Sequence, residues 1–212
     1  HLNNMEKTDF FKTPIWSEHK PEFLKSLDKA SNKYIMESKK INKYYIKKYG
    51  DFGTSYNSKP LIHDNKFLDF RNYIAHKSGE FLDSQNIAVS DYALILTEMW
   101  VQEFAKKGGH HSAHVHCNQH VSGFYFLKCS ENTSFPVFHE PRTGARATKL
   151  KMKNNMDMGG GDDLIHYKPK PGDLLIFPGY LEHEFVVDRG IDPFRFIHWN
   201  IQAVPKEIVK DV

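Results

Sequence analysis

Pro171-Gly-Asp-Leu-Leu-Ile-Phe-Pro178-Gly179 is the stretch on which the fold turns. Pro171-Gly172 and Pro178-Gly179 are turn formers. Between them Asp173–Phe177 has the length and apolar character of a buried strand. His183 heads the strand that returns. Outward in both directions the texture is the same. Upstream, Tyr92–Phe104 (YALILTEMWVQEF) and Val121–Lys128 (VSGFYFLK) are rich in strand formers, with shorter candidates at Phe135–His139, Ala147–Met152 and Ile165–Lys168. Downstream follow Glu182–Val187 and Phe194–Val204. About eight short strands closed by turns predict an antiparallel sandwich or jelly roll. The run Met158-Gly-Gly-Gly-Asp-Asp163 reads as a flexible hairpin connection, because a phosphate cradle needs a following helix and none is visible.

Before about Asn86 the pattern is helical. Phe23, Leu24, Leu27, Ala30, Tyr34 and Ile35 recur at helical spacing behind Pro21, a residue suited to a first turn. Phe67, Phe70, Ile74 and Phe81 predict a second amphipathic helix between about Asp64 and Leu82, and Gly50 to Pro60 is a turn-rich loop. Lys12-Thr-Pro-Ile-Trp16 reads as an extended arm, since Pro14 disfavours helix at the residue before it. The division is an arm and helical layer over 1–85 and a β core over 86–212, integrated into one domain. The four residues ahead of Met5 are set aside.

The bulk numbers bound the function. With 212 residues, 40% of them hydrophobic, the chain can bury one sizeable core. A net charge of +3 is too small to argue for nucleic acid or a membrane surface. The excess is N-terminal, 12 Lys against 7 Asp+Glu over residues 1–60, and reads as a solvated helical face. Two cysteines make no disulfide framework, no apolar run reaches a membrane span, and no signal peptide opens the chain, so a cytoplasmic setting is expected.

Five of the 13 histidines fall within His110–His120 (HHSAHVHCNQH). Such a tract can bind metal adventitiously. Position argues for more: His114 and His116, one residue apart, share a side if they lie on a strand, and His183 follows the Pro-Gly-strand-Pro-Gly element. In a jelly roll the pair and the later histidine can meet at one open end. Three ligands on one face leave the opposite metal positions free, the facial arrangement of non-haem iron sites.

Taken together, His114–Leu127 (HVHCNQHVSGFYFL), PGDLLIFPGYLEH at 171–183, and Arg195 ahead of His198-Trp199-Asn200 resemble the 2-oxoglutarate- and Fe(II)-dependent oxygenases. They are most similar to a branch found in marine bacteria and their phages, whose N-terminal start Phe11-Lys-Thr-Pro-Ile-Trp16 also resembles. The resemblance implies a mainly β double-stranded β-helix (jelly roll, cupin-like) with N-terminal α-helices packed on it. It implies a hydroxylase of a bacterial or phage-infected cell that takes Fe(II), 2-oxoglutarate and O2. Its metal ligands are His114, His116 and His183, with His116 standing where most of the superfamily has aspartate. Arg195 pairs with the far carboxylate of 2-oxoglutarate, a task suited to a forked guanidinium. The tyrosine hydroxyl often offered to the co-substrate falls to Tyr125, or its position to Phe126, and Ile197 stands where serine or threonine is common. If Arg195 faces the barrel interior, Ile197 and Trp199 share that face and His198 and Asn200 face away, unless a bulge inverts them.

Several neighbours carry two readings. Thr133–Arg146 lines the substrate mouth or is an ordinary strand and turn. Cys117 is a small packed residue or a soft ligand, and Glu98 and Trp100 reach the site or merely pack a strand. The substrate is a protein side chain or a small molecule, with nucleic acid disfavoured by the lack of a dense basic-aromatic patch. Two rival readings are a three-histidine cupin-type metalloenzyme that does not use 2-oxoglutarate and a non-catalytic binding module on the same fold.

Overall fold

A computed structural model describes residues 5–6, 8–153 and 159–209. The four residues ahead of Met5, and Met158 of the glycine loop, lie outside the described residues. The strands, in chain order, are β1 (Trp16–His19), β2 (Ser55–Asn57), β3 (Tyr92–Phe104), β4 (His111–His114), β5 (Val121–Lys128), β6 (Pro136–His139), β7 (Leu164–His166), β8 (Asp173–Pro178), β9 (His183–Phe185) and β10 (Phe194–Pro205). The helices are α1 (Leu24–Ile41), α2 (Lys43–Tyr49), α3 (Leu68–Asp83), α4 (Thr143–Ala147) and α5 (Lys206–Val209).

The strands form two antiparallel sheets, ordered β1-β8-β5-β10-β3-β2 and β4-β9-β6-β7. Between them lies an aromatic core built from Phe104, Phe124, Phe126, Phe177, Phe194 and Phe196 of the large sheet and Phe138 and Phe185 of the small one. The other face of the large sheet carries Met99, Val101, Tyr125, Ile176, Ile197 and Trp199 against α1 and α3. The large sheet is thus buried on both faces, and every residue of β8 is buried. Burying this much aromatic surface is the main source of stability.

The two helices follow their apolar spacing. α1 begins behind a 3-10 turn at Pro21–Phe23 and buries Leu27, Ala30, Ser31, Ile35 and Ser38. It ends with Lys39 and Lys40, cations suited to the negative end of the helix dipole. α3 follows a 3-10 turn at Asn65–Phe67 that is capped by the Asp64 carboxylate, and it buries Phe70, Ile74, Phe81 and Leu82.

Two expectations need correction and a third is extended. No strand covers residues 147–152; the helix α4 ends there instead. The loop from Gly50 to Pro60 contains β2, which pairs with β3, and the extended arm leads into β1, which pairs with β8. The large sheet therefore takes its edge strands from the N-terminal part of the chain. Among the described residues no helix is long and apolar enough to cross a membrane.

Candidate metal centre

β4 and β9 are neighbours in the small sheet, and their register sets His114 directly opposite His183. His114 is the last residue of β4, so His116 lies beyond the strand in the turn that follows. Strand alternation therefore does not unite the pair. What does is the contact between two turns: the His116 amide donates to the Gly179 carbonyl at 2.9 Å, behind β8. A Cβ on Gly179 would sit 2.3 Å from the Gln119 carbonyl oxygen, so only glycine lets the turns close.

The three imidazoles converge, with one ligating nitrogen from each lying within 4.8 Å of the others. Nδ1 of His183 is 2.8 Å from the Leu181 carbonyl and Nδ1 of His114 is 2.8 Å from the Ser112 carbonyl. Each carbonyl holds the proton on Nδ1 and leaves the Nε2 lone pair free, the tautomer a metal requires. Nε2 of His116 lies 3.3 Å from Nε2 of His183. Burial, and then the neighbouring histidines, push His116 down to about 4. Burial also takes His183 down to about 3, despite the upward pull of the Leu181 carbonyl. Both are neutral near pH 7. Neutral imidazole suits iron, zinc, copper and nickel, so the donor set fits a transition metal without choosing among them.

Around this trio stands a polar support from β3, β5 and β10. The Asn200 side-chain amide contacts His116 Nδ1 at 3.3 Å and donates to Glu98 at 2.6 Å, while its oxygen accepts from Ser122 at 2.6 Å. Glu98 thus reaches the centre through Asn200. His198 is buried, stacks on His116 with ring centroids 4.5 Å apart, and lies 4.5 Å from the Trp100 ring. Among the described residues neither ring nitrogen makes a well-aligned hydrogen bond, the Gly123 backbone offering a weak one. His198 and Trp100 line a cavity of about 10 Å³ beside the three histidines, closed by Phe124, Phe185 and Phe196. That volume suits about one water or ion. Asn200 and His198 were missed as site residues by reasoning from the sequence; their signal was the alternation that set them opposite Arg195.

Arg195 and Tyr125, expected beside the co-substrate, lie apart from the three histidines in this structure. Arg195, Ile197 and Trp199 do share a face of β10, but it is the face under the helical layer. Its guanidinium binds Glu103 through Nε at 2.7 Å and Nη2 at 2.6 Å. Nη1 donates to Ser31 at 3.0 Å and Asn32 at 2.6 Å on α1. Burial alone would raise the Glu103 carboxyl, but the hydrogen bond from Lys39 and the charge of Arg195 outweigh it and hold the group below its usual range. Tyr125 is buried on the same side, where its hydroxyl donates to the Lys20 carbonyl at 2.8 Å. Phe124 and Phe126 are the β5 residues facing the aromatic core.

A larger cleft, about 810 Å³, lies between the extended arm and Phe138–Arg142, with Leu181 in its wall. None of the three histidines lines it, although the Phe138 ring is 5.9 Å from that of His183. The expected mouth segment Thr133–Arg146 contributes Phe138–Arg142 to this cleft. Cys117 is exposed and stands outside the ligand group.

Known proteins share both the sequence span and the shape. The sequence model of a family described as "Putative 2OG-Fe(II) oxygenase" matches residues 98–192, a span that holds all three histidines and stops short of Arg195. No curated protein sequence matches the chain significantly. Among solved structures, AviO1 from Streptomyces viridochromogenes superposes with a TM-score of 0.58 at 11% identity, covering 90% of each chain. The viral collagen prolyl hydroxylase vCPH of Paramecium Bursaria Chlorella virus-1, solved with 2-oxoglutarate, gives 0.54 at 15% identity over 90% of this chain and 96% of that one. The α-ketoglutarate-dependent carbocyclase SnoK of nogalamycin biosynthesis gives 0.54 at 9% identity over 91% and 82%. At these identities the likeness is one of fold, the double-stranded β-helix.

Proposed function

We propose that this chain is a non-haem Fe(II) oxygenase that takes 2-oxoglutarate as co-substrate and hydroxylates a C–H bond of a protein side chain or small molecule. The observation that carries the reading is the convergence of His114, His116 and His183 inside the span matched by the oxygenase family. Fe(II) with 2-oxoglutarate and O2 supplies the oxidising power for attack on a C–H bond, and 2-oxoglutarate leaves as succinate and carbon dioxide. The chain's part is to hold and exclude. His114 and His183, with tautomers fixed by carbonyls, and His116, backed by Asn200, grip the metal from one side. Three neutral ligands leave its full +2 charge, where a carboxylate would reduce it to about +1. Phe124, Phe185 and Phe196 keep the interior side dry. The cleft beside Phe138 and Leu181 offers a place for substrate. That SnoK, a carbocyclase, shares the fold keeps hydroxylation a property to be read from the product.

Anaerobic titration of the apoprotein with Fe(II) and then 2-oxoglutarate tests the reading. A visible charge-transfer band that saturates with 2-oxoglutarate is expected. A second reading, a three-histidine metalloenzyme that does not use 2-oxoglutarate, is favoured by the position of Arg195 under α1 and by the small cavity. Tight Fe(II) binding with no band at saturating 2-oxoglutarate would decide for it.

A further inference from the structure

Resting on the reading of His116 as the third metal ligand, we infer that Glu98 is a positioning residue, which acts through Asn200 to hold His116 in its non-ligating tautomer. His116 joins the metal only when the Asn200 amide turns over and Glu98 lets go. The place of one proton carries this, and two independent contacts fix it. On one side, Nε2 of His116 lies 3.3 Å from Nε2 of His183. The His183 proton is on Nδ1, toward the Leu181 carbonyl at 2.8 Å, so its Nε2 only accepts. The hydrogen between the two rings therefore belongs to Nε2 of His116. On the other side, Nδ2 of Asn200 lies 2.6 Å from a Glu98 carboxylate oxygen, and its Oδ1 accepts from the Ser122 hydroxyl at 2.6 Å. A carboxylate only accepts, which fixes the amide with its NH2 toward Glu98. The same NH2 stands 3.3 Å from Nδ1 of His116, so that nitrogen carries the lone pair.

His114 and His183 differ. The Ser112 and Leu181 carbonyls hold their protons on Nδ1 and leave Nε2 ready for a metal. For His116 to ligate through Nε2, its ring must give that proton to water and take one from water at Nδ1, with no net change of charge. The new Nδ1–H needs an acceptor, and Asn200 supplies one only by presenting Oδ1 where its NH2 was. That oxygen then faces the Glu98 carboxylate, two acceptors with no hydrogen between them, and the Glu98–Asn200 bond is lost. Glu98 is exposed and free to swing into water, whereas Asn200 is buried and turns in place, its NH2 now donating to Ser122. The site thus holds two ready ligands and one that is withheld.

The test uses Zn(II), which is diamagnetic, and protein carrying nitrogen-15 in its histidines, with His116→Gln to assign the His116 signals. Long-range proton–nitrogen spectra at neutral pH read each tautomer. Metal-free wild type is expected to show Nε2–H on His116 and Nδ1–H on His114 and His183, and the Zn(II)-loaded protein Nδ1–H on all three. Glu98→Gln, whose amide accepts from Asn200 in one state and donates to it in the other, is expected to bind Zn(II) about tenfold more tightly in competition with a chelator. A charge effect alone would run the other way, because a nearby carboxylate strengthens cation binding. Nδ1–H on His116 in the metal-free wild type would overturn the inference. So would equal or weaker Zn(II) binding by Glu98→Gln, or an Nε2–H on His116 that persists after loading. A wild type that takes no metal would sink the metal centre and this inference together. Metal binding without a 2-oxoglutarate charge-transfer band would sink the oxygenase reading alone.

Discussion

At the scale of single residues, the centre is a group of imidazoles kept neutral by burial. Two Nε2 atoms 3.3 Å apart repel unless a proton or a cation lies between them. His116 and His183 have folded pKa values of about 4 and about 3, below the unfolded value near 6.5. His198 is displaced downward too, first by burial and then by the neighbouring histidines. Between pH 6.5 and about 4 the unfolded chain therefore binds more protons than the folded one, and stability must fall as pH falls. The metal-free protein is expected to be most stable above pH 6.5 and to lose denaturant resistance steadily down to about pH 4. Urea melts across that range check this. A flat profile would show that these histidines are as solvated in the folded chain as in the unfolded one.

At the scale of elements, the clamp between α1 and the large sheet is the sharpest case. Glu103 of β3 receives both Lys39 of α1 and Arg195 of β10, so one carboxylate ties a helix to two strands. Glu103→Ala leaves a buried guanidinium short of its main counter-charge and is expected to cost about 3–5 kcal/mol in chemical denaturation. Co(II) affinity in the surviving folded protein is expected to be unchanged, because the clamp lies across the sheet from the histidines. The same strand shows what could be read without coordinates. The helices at Leu24–Ile41 and Leu68–Asp83 and the long strands follow from apolar spacing alone. The joint face of Arg195, Ile197 and Trp199 follows from the period of two. Which side of the sheet that face meets does not follow. Both sides of the large sheet are buried, so β5 and β8 are apolar on successive residues and carry no polar face to mark an outside. The meeting of His116 with His183 was legible as a pairing of motifs, but its cause, a turn packed on Gly179, is a tertiary contact between segments far apart in sequence.

At the scale of the whole molecule, the centre joins the small sheet to the support from the large one. His114 and His183 belong to β4 and β9, whereas His116 is backed by Asn200 and stacked on His198 of β10. A metal held there binds the folded chain and not the dispersed histidines of the unfolded one. Loading is therefore expected to raise the melting temperature, with about 2.7 kcal/mol gained at a free metal concentration of 100 times Kd. Melts with Co(II) and with a chelator measure it, and a His183→Ala protein should show no metal-dependent rise.

The pairing of β1 with β8 reaches further than the register suggests. β8 is apolar on nearly every residue, and without β1 its free N–H and C=O groups would form an open template for any other extended chain. β1 covers that edge with four residues, Trp16 to His19, of which the last three are exposed and two ionisable. Its outer side is short, polar and a poor partner for further strands. A short stretch of chain thereby covers one of the two edges of the large sheet, and a proteolytic cut just after His19 is expected to expose that edge and raise self-association measured by light scattering.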